Sequence, residues 1–177
     1  YDSPEWDVNI SMSKKKKMVI IVTVPIIIDT WLRGQAKHLS KFYDIKIITS
    51  FCESIPSLSL SEGVEIVVMD ITPKITPIRD LKTIYKMYTY FTNQGTDIVY
   101  VYTPKAALVG MISAFFARVP LRINNIVALR MMESSGIKKI MYRATEYITC
   151  TLSNRNYCNS FGLRDFVNKN IIKKKIH

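Results

Sequence analysis

The residues best placed for chemistry are Thr103-Pro104-Lys105, which follow an apolar strand pattern and open a helical one. At a helix start the backbone N–H groups lack intrahelical partners, and the dipole favours negative charge. A threonine and a lysine there suit a phosphate or a carboxylate. They equally suit a capping hydroxyl beside a solvent-facing lysine, and residue types alone leave both readings open. Histidine supplies no general base: His38 lies mid-helix between Lys37 and Leu39 and reads as a surface residue, and His177 is terminal. Asp70, Asp80 and Asp97 fall at element ends, where Asp80 and Asp97 read as caps or turn residues. Cys52, Cys150 and Cys158 form no C-x-x-C pair, so a disulfide scaffold and a zinc site are both poor fits and a reducing setting suits them better. The six glycines give neither G-x-G-x-x-G nor a P-loop, and G-x-S-x-G is absent. Residue types and spacing therefore single out no catalytic residue.

The elements that must position Lys105 are legible as periodicity. Met18 to Val24 is an unbroken apolar run, typical of a strand buried on both faces, and Pro25 ends it. Thr30 to Phe42 reads as a helix with Trp31, Leu32, Leu39 and Phe42 on one side. Asp44 to Thr49 and Val64 to Met69 are strands, with a serine-rich loop over Glu53 to Gly63 between them. Asp80 is the expected N-cap of a helix that ends at Gly95, and Leu81, Ile84, Tyr85, Tyr88 and Phe91 are its expected sheet-facing stripe. Asp97 to Tyr102 is another strand and Lys105 to Arg118 an apolar helix, in which Ala106, Gly110 and Ala114 form a flat strip for close packing. Val119 to Asn124, a helix over Ile137 to Thr149 and a weak polar strand at Asn156 to Asn159 complete the series. Such alternation implies right-handed crossovers and an α/β, Rossmann-like three-layer sandwich with a mostly parallel sheet. Ligands of such sheets gather at the carboxyl ends of the strands. That rule selects four loops: Pro25 to Gly34, Asp70 to Arg79, Thr103 to Lys105 and Asn124 to Gly136.

The 177 residues carry a net charge of +11 and are 48% hydrophobic, enough for one domain with a real core. Lys14 to Lys17 and Lys173 to Lys175 hold seven of the basic residues; without them 18 face 14 acidic ones. The runs read as solvated tails or as attraction to anionic lipid headgroups. Nucleic acid is not expected, because no aromatic-basic recognition motif accompanies the charge. Ala106 to Ala117 is too short to span a bilayer, and the acidic Tyr1 to Asn9 lacks the basic start of a signal peptide. Met12-Ser-Lys-Lys-Lys-Lys-Met18 reads as a natural start, with residues 1–11 an extension outside the fold.

Five stretches are informative together: Trp31-Leu-Arg-Gly-Gln; Ile75-Thr-Pro-Ile-Arg-Asp-Leu-Lys; DIVYVYTPKAALVGMI from Asp97; Ala117-Arg-Val-Pro-Leu-Arg-Ile; and Gly136-Ile-Lys-Lys with Arg143, Glu146 and Thr149-Cys150. In type and order they resemble the N-terminal domain of bacterial family 4 glycosyltransferases, GT-B enzymes that build capsule, O-antigen and exopolysaccharide units. The likeness runs from about Met18 to Asp165. Val127-Ala128-Leu129 stands where that family carries His-Gly-Leu, and Tyr100, Tyr102 and Asn124 stand at positions where it carries histidines.

The resemblance implies a flexible extension with a basic run over 1–17, a Rossmann-like domain over 18–165 and a basic tail over 166–177. The second domain, with its paired glutamates and most donor contacts, has no counterpart in these residues. The chain is then half an enzyme, expected to be inactive without a second domain or a donor-domain partner chain. The complete enzyme would transfer sugar with retention from a nucleotide-sugar to a polyprenyl-linked acceptor, needing no metal or further cofactor. It would work in the cytoplasm, peripheral to the inner face of the plasma membrane. Arg33 and Gly34 are expected near the donor phosphates, and Thr103, Pro104, Lys105, Asn124, Asn125 and Arg130 toward the acceptor. A non-catalytic membrane-recruiting subunit, or a truncated inactive fragment, is the alternative.

Overall fold

Strand β1 (Lys17–Ile21) is buried along almost its whole length, because both faces of the sheet are covered. Val19 and Ile21 point into one helix layer and Met18 and Ile20 into the other, which explains an apolar run without alternation. The computed structural model describes residues 14–74, 76–129, 131 and 134–172. Around β1 lie β2 (Asp44–Thr49), β3 (Glu65–Val68), β4 (Ile98–Val101), β5 (Leu121–Ile126) and β6 (Arg155–Cys158). All pairings among these six strands are parallel, in the order β3-β2-β1-β4-β5-β6. The chain moves outward from β1 to β3, then crosses back to β4. The gap between β1 and β4 is therefore a topological switch point, where the loops on either side diverge and leave a crevice.

Helices α1 (Ile26–Thr30), α2 (Gln35–Leu39) and α3 (Ile55–Glu62) join the first three strands. Helices α4 (Pro77–Gln94), α5 (Pro104–Phe116) and α6 (Gly136–Leu152) join the later ones, and α7 (Phe161–Asn170) follows β6. One core lies between the sheet and α4–α5, including Met87, Phe91, Ala106 and Met111. Another gathers Ile20, Ile28, Leu32, Ala36 and Ile47. The small-residue strip on α5 lets it sit close on β1 and β4: a Cβ added to Gly110 would lie 2.8 Å from Ile21 Cδ1 and 3.2 Å from Val101 Cγ1.

Several sequence expectations change. The helix expected over Thr30 to Phe42 is only the short α2, since α1 ends at Thr30 and Gly34 takes φ +74°, outside the right-handed helical region. Trp31 and Phe42 consequently face outward, with Leu32 buried. The serine-rich segment is α3 rather than a loop. Pro56 stands in its first turn, Gly63 closes it in the left-handed region, and Ser59 donates to the Val64 carbonyl. Asp80 lies inside the first turn of α4, whose N-cap is Thr76. Of the stripe expected to face the sheet, Phe91 is buried and Ile84 packs on the core, but Leu81 and Tyr85 are each 68% exposed, and Thr83 and Met87 are buried instead.

A third core joins Ile126, Leu129, Met131 and Cys150 to Val167, Ile171 and Ile172. The packed unit thus extends beyond Asp165 to Ile172, and residues 166–172 are not a solvated tail. The Lys173–Lys175 run lies outside the described residues. No helix of the described residues is long and apolar enough to cross a membrane.

Candidate functional site

A cleft of about 280 Å³ opens at the carboxyl ends of β1, β4 and β5, on the switch point. Thr23 stands just past β1, Trp31 comes from the first loop, Pro73 from the second, Thr103 and Lys105 from the third, and Val127 from the fourth. The four loops selected from the sequence therefore converge. Thr103 precedes α5 but its side chain caps nothing there. Its hydroxyl instead lies 2.6 Å from Thr23 Oγ1 and accepts from the Thr23 N–H at 3.1 Å. This ties β1 to β4 across the crevice and leaves the first turn of α5 uncapped by any side chain, with its dipole directed at the cleft.

Lys105 is neither solvent-facing nor free. Its ammonium bonds Asp80 Oδ2, and the side chains are only 10% and 15% exposed. Asp80 also accepts from the N–H and hydroxyl of Thr76, at 3.3 and 3.1 Å. A carboxylate is favoured at the start of α4, whereas a cation at the start of α5 is opposed by that helix's dipole. Asp80 offsets that repulsion and fixes Lys105 on the cleft wall.

The floor is aromatic. Tyr102 donates to Gln35 Oε1 at 3.0 Å, and its ring lies 4.5 Å from that of Tyr100. Burial, reinforced by Tyr100, pushes the Tyr102 phenol far above its usual range, so it serves as a donor and not as a base. Cys150 and Cys158 are free, and burial pushes their thiols up to about 12 and about 11. Neither is a thiolate nucleophile at neutral pH.

The other predicted residues separate. Arg33 is 81% exposed at the side chain and stands 4.0 Å from Asp29, outside the cleft lining. The Gly34 N–H donates to Glu62 Oε1 at 2.7 Å, so it is not open to a phosphate. Asn124 is buried, and its amide donates to Asn156 Oδ1 at 3.2 Å in a network with Ser153 and Cys150. It holds β5 to β6 and is not part of the cleft lining. Asn125 is half-buried in β5 beside Tyr157 of β6, also outside the lining. Arg130 lies outside the described residues. Sequence reasoning missed Thr23, Gln35 and Asp80 as parts of the site. Gln35 closes the Trp31-Leu-Arg-Gly-Gln stretch and was available as a signal; the Thr23–Thr103 contact spans 80 residues and was not.

No protein-family model matches the chain. Over 136 residues it is 32% identical to a capsular polysaccharide biosynthesis glycosyltransferase, CapM of Staphylococcus aureus, covering 76% of this chain and 35% of that protein. MurG of Acinetobacter baumannii superposes with a TM-score of 0.59 at 16% identity, over 82% of this chain and 42% of MurG. Anabaena HepE, solved with UDP and glucose, gives 0.65 at 15% identity, over 88% of this chain and 41% of HepE. The chain thus spans about a third of its capsular relative and two-fifths of those structures. It is a homologue of part of a capsular polysaccharide glycosyltransferase, with the Rossmann-like fold found in the GT-B glycosyltransferases.

Proposed function

We propose that this chain is the acceptor-binding part of a retaining glycosyltransferase that moves sugar from a nucleotide-sugar to a polyprenyl-linked acceptor in surface polysaccharide synthesis. One observation carries the reading: the switch-point cleft joins an uncapped helix start and a fixed Lys105 to an otherwise apolar wall. Such a site suits a diphosphate attached to a lipid. Lys105 retains donor capacity beyond its bond to Asp80, and the first turn of α5 supplies the favourable end of a dipole. Trp31, 56% exposed at the rim, offers a flat face for a sugar ring. Support for the nucleotide-sugar comes from HepE, solved with UDP and glucose. Among the described residues of the cleft and its wall, Asp80 is held by Lys105 and Tyr102 is a donor, so on this reading they bind and orient. On this reading the remaining donor contacts come from a further domain or partner chain, and the protein works at the inner face of the plasma membrane.

The test is binding of a detergent-dispersed polyprenyl diphosphate sugar, measured beside UDP-glucose. The acceptor should bind, and Lys105→Ala should weaken it at least tenfold while leaving far-UV circular dichroism unchanged. UDP-glucose binding with no acceptor binding overturns the assignment.

A further inference from the structure

Glu62 closes α3 yet is only 3% exposed, and among the described residues no lysine or arginine pairs with it. Its carboxylate turns instead to the start of α2. Oε1 accepts from the Gly34 N–H at 2.7 Å, and Oε2 accepts from the Lys37 N–H at 3.4 Å. Gly34 is the N-cap of α2 and Lys37 its third residue, so these are the two donors that a capping box satisfies. Glycine has no side chain to supply its half of such a box. One carboxylate from another helix therefore supplies both halves, with its charge at the end of α2 that the dipole favours. A helix of five residues is too short to hold itself in place, so Glu62 sets where α2 begins.

That start governs two parts of the candidate site. Gln35, the first residue of α2, accepts from the Tyr102 hydroxyl at 3.0 Å, and Tyr102 forms the cleft floor. Trp31, three residues before Gly34, stands at the rim. The Gln35 N–H donates to the Leu32 carbonyl at 2.8 Å, which joins the two parts through the same turn.

We propose that Glu62 is a positioning residue for the cleft. Its carboxylate fixes the Gly34–Gln35 turn, and with it the Tyr102 hydroxyl and the Trp31 ring. Glu62 lies outside the cleft lining and touches no ligand itself. A buried carboxylate without a cation is costly to keep, and Gly34 and Lys37 are exposed, so water can replace it as their acceptor. Losing it should loosen the first loop and leave the sheet folded. The effect on acceptor binding rests on the transfer reading above; the ordering of the loop does not.

The tryptophans are Trp6 and Trp31, so Trp6→Phe makes Trp31 the sole reporter. In that background Glu62→Leu fills the space without accepting a hydrogen bond, whereas Glu62→Gln keeps one acceptor oxygen. The leucine variant should lower Trp31 fluorescence anisotropy while its urea midpoint, followed by circular dichroism, changes little. It should also weaken binding of the detergent-dispersed polyprenyl diphosphate sugar about tenfold, as the share of chains with an ordered loop falls. The glutamine variant should recover most of both. In the unsubstituted chain the Gly34 amide should exchange slowly with solvent, although its residue is exposed. Exchange there at the rate of an unstructured peptide overturns the proposal with no variant needed. So does wild-type anisotropy in the leucine variant, a glutamine variant as impaired as the leucine one, or an anisotropy loss that only follows global unfolding. If the unsubstituted chain binds no acceptor, the transfer reading fails, and anisotropy and exchange still decide the role of Glu62.

Discussion

At the residue scale, the least expected feature is the Lys105–Asp80 pair, formed across 25 positions between two helix starts. The partners are not equivalent. Asp80 keeps the Thr76 donors and a favourable dipole when Lys105 is removed, whereas Lys105 without Asp80 is a shielded cation at the wrong end of a helix. Breaking a shielded pair from the costlier side typically loses about 3 kcal/mol. Urea unfolding at neutral pH should therefore show Asp80→Ala losing about 3 kcal/mol and Lys105→Met less than about 1 kcal/mol. Equal losses would show that the other donors to Asp80 contribute nothing. The sequence made Thr103 and Lys105 visible because a threonine and a lysine at a helix start have a recognisable chemistry. It hid their partners because strand order decides which loops meet. Asn124 was misplaced for a related reason: side chains alternate along a strand, and the inward register of β5 appears only once β6 is paired with it.

At the element scale, Gly110 tests whether the small strip on α5 sets the helix–sheet distance. An alanine there gains about 1 kcal/mol of helix propensity. Its added methyl meets the flexible end of Ile21, so Gly110→Ala should stay within about 1 kcal/mol of wild type. Gly110→Val adds two further methyls where the Cβ already presses on Ile21 and Val101, and should cost about 2 kcal/mol or more in thermal unfolding. A neutral valine would mean that α5 can move away from the sheet. Strand types and sheet class were legible because β1, β2 and β4 are apolar beyond what a one-sided sheet requires. The helix faces were less so. On α4 periodicity selected the larger apolar edge, Leu81, Tyr85 and Tyr88, whereas the sheet buries Thr83 and Met87. The buried threonine is satisfied by donating to the Asp70 carbonyl at 2.7 Å, which no hydrophobicity pattern reveals. In α3 the serines suggested a loop, although Pro56 and Gly63 mark a helix start and stop.

At the scale of the whole molecule, stability should depend on pH through Glu146. It lies on the inner side of α6, next to the third core, and burial pushes its carboxyl up to about 7 from an ordinary 4.5. A raised acid holds its proton longer in the native chain than in the unfolded one. Between about 4.5 and 7 the native state therefore binds more protons, and stability falls as pH rises through that window and levels off above it. This slope is opposite in sign to that of an ion-paired carboxylate, which loses stability as pH falls. Glu146→Gln keeps the shape and removes the titration. Other groups titrate alike in both proteins, so the difference between them isolates this one. Thermal and urea unfolding at pH 5 and pH 8 should show the variant gaining on wild type by about 2 kcal/mol over that interval. A constant difference would mean that the ionised carboxylate finds compensating donors as α6 and α7 adjust around it.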